Sequence, residues 1–278
     1  MPAVFLRDRA LIRVSGAEAQ SFLQNLITTD VVSLGAGEAR PGALLTPQGK
    51  ILFDFMIWQD GDSYLIETEV SQRDALLKRL AMYKLRAAVD LKADGEGVTV
   101  SWGDGHGPGW NDSRFAKAGL AVSRNAGRHG DGDPAAYDAL RAAYGVAESG
   151  SDYALQDVFP HDVLMDLNGG LSFKKGCYVG QEVVSRMQHR GTARRRVVTV
   201  TSAEPLPVSG SEITAAGKPI GTIGSVVGHT GLAIVRIDRA GEAIAAGTPL
   251  LAGAIPVTVA LPVWSGLVFP SRADEATA

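Results

Sequence analysis

Phe173-Lys174-Lys175-Gly176-Cys177-Tyr178-Val179-Gly180-Gln181-Glu182 carries the only cysteine of the chain. Two lysines precede the thiol, two glycines bracket it, and Gln181 to Met187 has a helix-compatible composition. A helix beginning near Gly180 brings free backbone N–H groups and the positive end of its dipole close to Cys177. Cationic neighbours and a helix N-terminus both favour thiolate over thiol, which makes a cysteine nucleophilic or metal-competent. A small apolar residue packed in a turn is the other common fate of a free cysteine. On the residues alone both readings of Cys177 stand.

Outward from this stretch, bulk composition narrows the class. The chain has 278 residues, 45% apolar and 21% charged, enough for a large core and one to three domains. Its 33 glycines imply many tight turns, as several short strands require. A net charge of −3 gives no global attraction to nucleic acid or anionic membrane. One cysteine forms no internal disulfide, and by itself it cannot hold an iron–sulfur cluster, which usually takes about four thiolates. No apolar run approaches the ~18 residues of a membrane span. Met1-Pro2-Ala3-Val4-Phe5-Leu6-Arg7-Asp8-Arg9 has charges where a secretory core is apolar, so the expected location is cytoplasmic. His106 and His129 are lone loop histidines without a second ligand at metal spacing, and no metal site is expected.

Leu11 to Val14 reads as a strand, and Ser15-Gly16-Ala17-Glu18 has the spacing of a capping box ahead of a helix. Ala19, Phe22, Leu23, Leu26 and Ile27 form its apolar stripe, and Thr28 to Asp30 reads as a solvated helix end. Pro47 to Gly49 and Asp60 to Asp62 are turns between three strands. Ser71 to Leu85 reads as a helix capped by Ser71, with Leu76, Leu77, Leu80 and Ala81 facing inward. Val89 to Leu91 and Val98 to Trp102 complete a self-contained α+β unit over about 40–105. Residues 103 to 114 have loop chemistry, and Asp133-Pro134 starts a helix that Gly145 stops. After Gly191, short β-rich segments between Gly and Pro turns predict a small antiparallel barrel or sandwich over 192–268. Residues 271–278 lack apolar side chains and are expected to be disordered.

Lys175 to Glu182, with Arg186 and Arg190-Gly191, resembles the signature of YgfZ-type folate-binding proteins, relatives of the glycine cleavage T-protein (aminomethyltransferase). Ile220 to Ser225 and Gly231 to Arg236 resemble the C-terminal barrel of the same relatives. The resemblance implies an α+β, three-lobed T-protein-like fold. Its parts would be a discontinuous folate-binding lobe (1–38 with 115–190), an inserted ferredoxin-like lobe (40–105) and the C-terminal β-barrel.

What the resemblance further implies is a tetrahydrofolate-binding accessory protein for assembly, repair or maintenance of iron–sulfur enzymes. Folate and transient iron–sulfur protein partners would then be its ligands, with Cys177 and Lys175 as the chemical pair. A pterin ring presents adjacent N–H and NH₂ donors, so a buried carboxylate suits it, and Asp162, Asp166 and Glu182 are the acids near the signature. Tyr178, Gln181 and Arg86 fall in matching segments. Arg186 and Arg190 belong to a basic stretch able to hold the glutamate tail through charge-assisted contacts. Each of these residues also has an ordinary structural use as a cap, an ion-pair partner or a solvated surface group. T-proteins carry two adjacent acids where this chain has Phe53-Asp54. A folate-dependent aminomethyltransferase-like activity is therefore the alternative, and an interaction protein without ligand chemistry is another.

Overall fold

The computed structural model describes residues 2–103 and 107–270. His106 and the 271–278 tail, with the expectations attached to them, lie outside the described residues. In chain order the elements are β1 (Ala3–Ser15), α1 (Ala19–Gln24), β2 (Glu38–Leu45), β3 (Ile51–Asp60), β4 (Ser63–Glu69), α2 (Arg73–Lys84), β5 (Asp90–Trp102), β6 (Trp110–Asp112), α3 (Ser113–Ala116) and β7 (Val122–Ala126). Then follow α4 (Pro134–Tyr144), α5 (Met165–Asn168), α6 (Gln181–Arg190), β8 (Arg195–Thr201), β9 (Glu212–Ala215), β10 (Lys218–Val227), β11 (Thr230–Arg236), α7 (Ile237–Ala245), β12 (Leu250–Ala252) and β13 (Ile255–Ala260). The chain divides into two compact units, Met1–Ala136 with Met165–Ser185, and Tyr137–Leu164 with Arg186–Ala278.

In the first unit the strands close a barrel in the order β1-β4-β3-β2-β6-β7-β5, with β5 pairing back on β1. Here the 40–105 stretch does not stand as a separate lobe, because β5 finds its partners outside it, on β1 and β7. The two short strands read at 89–91 and 98–102 are one strand. Register shifts between Leu6 and Ile12 of β1 absorb the polar Asp94-Gly95-Glu96 interruption, as bulges do. β6, in a stretch read as loop, joins β2 in parallel. On one face of this sheet Ile12, Val14, Phe55, Ile57 and Ile66 are buried with Phe22 and Leu23 of α1 and Leu76 and Leu80 of α2.

Helix ends also differ from their expected caps. Ser15 belongs to β1, and Glu18 spends its carboxylate on the Ala88 N–H at 2.6 Å instead of closing a capping box. Glu69, not Ser71, opens the second helical segment, through a Val70–Gln72 turn of 3-10 helix that precedes α2. Its carboxylate accepts from the Ser71 hydroxyl at 2.6 Å.

The second unit holds an antiparallel barrel in the order β10-β11-β8-β13-β12-β9, closed by β9 on β10. Alternate aliphatic residues fill it: Val198, Val200, Ile213, Ile223, Val235 and Leu250, with Ala240 and Ala243 of α7. α7 was not expected, because Ile237 to Ala245 follows a strand with no turn residue to mark the change. In the 137–164 segment the buried Arg141 binds Asp152 at 2.7 Å and Ser225 of β10 at 3.1 Å, which ties that segment to the barrel.

Candidate functional site

The Cys177 stretch is anchored from behind by the end of the first helical segment. Thr28 and Thr29 are fully buried, not solvated as expected, and their hydroxyls saturate backbone groups that no sheet partner reaches. The Thr28 hydroxyl donates to Gly170 O at 2.6 Å and accepts from the Ala43 N–H at 2.9 Å, so one side chain joins β2 to the 165–185 segment. Ser172 N–H donates to Thr28 O at 3.0 Å. The Ser172 hydroxyl in turn accepts from the Lys174 and Lys175 amides at 3.3 Å each. The Thr29 hydroxyl donates to Pro41 O at 2.6 Å, in a space left by Gly42, where a Cβ would stand 2.2 Å from that hydroxyl.

Lys175 is turned inward and only 8% exposed. Its ammonium donates to Ile27 O at 2.6 Å and Thr29 O at 2.7 Å and lies 5.3 Å from the centre of the Tyr178 ring. Burial lowers its pKa from 10.5 to about 8, and the Asp30 carboxylate opposes that shift. Tyr178 is buried too, with its hydroxyl donating to Ser172 O at 3.1 Å and its pKa pushed up by desolvation. Cys177, between these two inward side chains, is exposed. The sulfur is thus not packed in hydrocarbon. The sequence assigned Lys175 to activating the thiol, but its hydrogen-bonding capacity goes to backbone carbonyls, and its evident work is to clamp the turn.

The helix start is built as expected. Gly180 has φ +79°, and a Cβ there would meet Thr46 O at 2.5 Å, so only glycine lets the chain pass over the β2–β3 turn into α6. That turn is a hydrogen-bonded Thr46-Pro47-Gln48-Gly49, with Gly49 N–H donating to Thr46 O at 2.9 Å. Gln181 and Glu182 occupy the first turn of α6, Gln181 half-buried and Glu182 exposed, and Asp166 sits half-buried in α5. Arg86 is exposed in the turn after α2, a helix that packs on β1 and β5.

Asp162, Arg186 and Arg190 belong to the second unit. Asp162 is 2% exposed; its carboxylate accepts from the Phe159 N–H at 3.1 Å and faces Arg195 at 3.9 Å. Arg186 and Arg190 are exposed on α6. The basic stretch that continues from them disperses: Arg195 pairs with Asp157 at 3.3 Å, and Arg196 is buried against His161 O at 2.6 Å. The structure therefore gathers Lys175, Cys177 and Tyr178 on one turn, with Gln181 and Glu182 in the first turn of α6 that follows it. Thr28, Thr29 and Gly42, which hold that turn, went unassigned. A Thr-Thr pair closing an apolar helical stripe was the signal available for them.

Residues 194–267 match the family described as the CAF17 C-terminal β-barrel domain. Over most of its length the chain is similar to the iron–sulfur cluster assembly factor IBA57 homolog of Coccidioides immitis, at 31% identity over 84% of this chain and 71% of the relative. The mouse iron–sulfur cluster assembly factor IBA57 is 30% identical over 84% of this chain and 77% of its own length. This chain belongs to the IBA57 family. The Pyricularia oryzae homolog is 29% identical over 89% of this chain and 75% of that protein. All three relatives are named as mitochondrial proteins, which overturns the cytoplasmic expectation. Among solved structures, the glycine cleavage system aminomethyltransferase T of Bartonella henselae superposes with a TM-score of 0.70, at 18% identity over 94% of this chain and 85% of that one. The fold is that of a T-protein, as the signature implied. The relatives bear the IBA57 name and not the YgfZ one, so the kinship stands at the coarser, T-protein-like level.

Proposed function

We propose that this protein is an iron–sulfur cluster assembly factor whose Cys177 offers an exposed sulfur ligand to a cluster in transit between proteins. The observation that carries this reading is the opposition of side chains on one turn: Lys175 and Tyr178 buried as clamps, Cys177 exposed between them. A thiol held outward on a fixed backbone is accessible without being loose. The names of the IBA57 relatives support the same process. A single cysteine supplies one ligand, so the remaining ligands of any cluster bound there come from a partner protein. Among the described residues no helix is long and apolar enough to cross a membrane, and the partners in this reading are iron–sulfur enzymes or assembly factors met transiently.

Tetrahydrofolate, in this proposal, is the second ligand. Of the three acids near the signature only Asp162 has the burial that a pterin edge needs, since Asp166 is half-buried and Glu182 exposed. Asp162 would hold the pterin, and the exposed Arg186 and Arg190 of the same unit would hold the glutamate tail. The bound folate would supply a one-carbon or reducing group that the protein itself lacks. The aminomethyltransferase alternative loses a carboxylate here. Phe53 packs against the aliphatic cluster of the first unit, and Asp54 follows it on the opposite face of β3.

Two measurements test the proposal. In cells lacking the protein, wild type is expected to restore the activity of iron–sulfur enzymes, and Cys177→Ala to fail at equal protein level. Full rescue by Cys177→Ala removes the thiol from the function. Calorimetry with folinic acid is expected to give binding that Asp162→Asn loses. Absence of heat at saturating ligand removes folate and leaves the cluster proposal intact.

A further inference from the structure

The turn that ends α2 is built against the preference of its own residue. Ala87 N–H donates to Lys84 O at 2.8 Å, and Leu85, the first central residue, has φ +47° and ψ −108°. These are the angles of a type II′ turn at the position that glycine normally fills, since an L side chain there is strained. Leu85 is also 88% exposed, so its side chain recovers nothing by burial. Folding alone would favour glycine at this place.

The surroundings share one character. Met82, on the same solvent-facing side of α2, is 62% exposed. The charged side chains of Lys78, Arg79, Lys84 and Arg86 make no hydrogen bond or ion pair among the described residues, in a chain whose net charge is −3. The helix dipole accounts for cations at Lys84 and Arg86, near its negative end, but not for Lys78 and not for an exposed leucine. The opposite face of α2 is fully committed through Leu76 and Leu80, which are completely buried.

We propose that this end of α2 docks an acidic segment of a partner protein, with Leu85 as the anchor that enters an apolar pocket on that partner. The unpaired cations fix the charge of the partner, and the turn fixes its shape. A backbone held in a hydrogen-bonded turn presents the Cα–Cβ direction of Leu85 to a pocket of defined geometry, so little backbone freedom is lost on binding. A fluid bilayer gains nothing from such fixation, and Tyr83, the one aromatic side chain between Met82 and Arg86, packs against the core of the first unit instead of standing out with Leu85 as a membrane-interface tyrosine would. The inference stands apart from the role of Cys177.

Photo-crosslinking in cells tests it, with p-benzoylphenylalanine in place of Leu85 and, as an exposed control, in place of Val208. The expected result is one protein adduct specific to position 85, whose purified partner binds the full chain. Leu85→Gly is then expected to weaken that binding about tenfold or more, with a Tm equal to or above that of the parent. Lys78→Glu with Arg86→Glu is expected to weaken it about tenfold in a salt-dependent way. A fall in Tm for Leu85→Gly would mean that the leucine serves the fold, and would overturn the proposal. So would binding indifferent to Leu85→Gly, or no adduct above the Val208 control. Sedimentation of the wild type with phosphatidylserine vesicles, lost in Leu85→Gly, would replace the protein partner with a membrane.

Discussion

In the first barrel Glu67 of β4 and Arg124 of β7 meet across the interior, whereas in the second the interior is filled by Val198, Val200, Ile213 and Val235. β4 and β7 are not neighbours in the barrel order, so a bond between them crosses the lumen. Both residues are fully buried. The network continues from Glu67 to Arg9 at 2.9 Å, and from Arg124 to Asp112 at 2.9 Å and on to Arg114 at 2.7 Å. Burial pushes the Glu67 carboxyl up, but Arg124 and Arg9 outweigh it and hold the group below its ordinary value. Asp112 is held down by Arg114 and Arg124 in the same way against its own desolvation. The difference is one of specification. A one-residue slip of β4 would turn Glu67 out of the lumen and leave Arg124 buried without its main partner, so the charges fix register. An aliphatic interior is selected by volume and alternation, and tolerates exchange among similar residues.

The largest effect that would break this comparison follows from Glu67→Ala. It leaves the Arg124 guanidinium buried beside one acid instead of two, and is expected to cost about 3–5 kcal/mol in urea unfolding. Glu67→Leu combined with Arg124→Leu is expected to cost distinctly less, because neither charge is then stranded. Equal costs for the single and double replacements would mean that the lumen contacts are packing and not charge.

Lys175 sharpens the contrast, since its charge is answered mostly by carbonyl dipoles. Lys175→Met is expected to cost about 2 kcal/mol, by loss of two charge-assisted hydrogen bonds to backbone. It should also disorder the Cys177 turn, read as faster amide exchange at Gly176 to Val179. The pH dependence has a defined sign. The folded pKa, about 8, lies below the ordinary 10.5, so the unfolded chain holds more protons between those values. Stability therefore rises with pH across that window and falls back as pH drops through about 8. Wild type should gain on Lys175→Met between about pH 8 and 10.5. A difference that stays flat, or that narrows, would show that the ammonium is not desolvated.

How far each region could be read from the chain follows the same division. The strands of the second barrel were legible because each alternates aliphatic residues between Gly or Pro turns, and β9 runs over Glu212 to Ala215 as read. The first barrel was not. Its closure pairs Ala3–Ser15 with Asp90–Trp102, a distance in sequence that no local pattern encodes. Arg9 lies in a run of charges that resembles a solvated terminus, and Glu67 sits in a strand whose polar members were free to face water. Cys177 was marked by its glycines and lysines. The inward turn of Lys175 was hidden, because the carbonyls that receive it come from Ile27 and Thr29.

The smallest effect belongs to the second barrel. Ile213 is fully buried on β9, opposite Gly221 and Ala252, in the same aliphatic cluster as Leu250 and Val235. Ile213→Val removes one methylene from that cluster and is expected to cost about 1 kcal/mol, with no change in the slope of urea unfolding. Thr99→Val in the first unit makes a fair counterpart. It changes little volume but removes a hydroxyl that donates to Gly127 O at 2.7 Å and accepts from the His129 amide at 2.8 Å. That variant is expected to cost about 1–3 kcal/mol, more than Ile213→Val, because two backbone groups lose their partner. If the two costs were reversed, the first barrel would be held by its aliphatic face alone, and its polar bonds would add nothing to the choice of register.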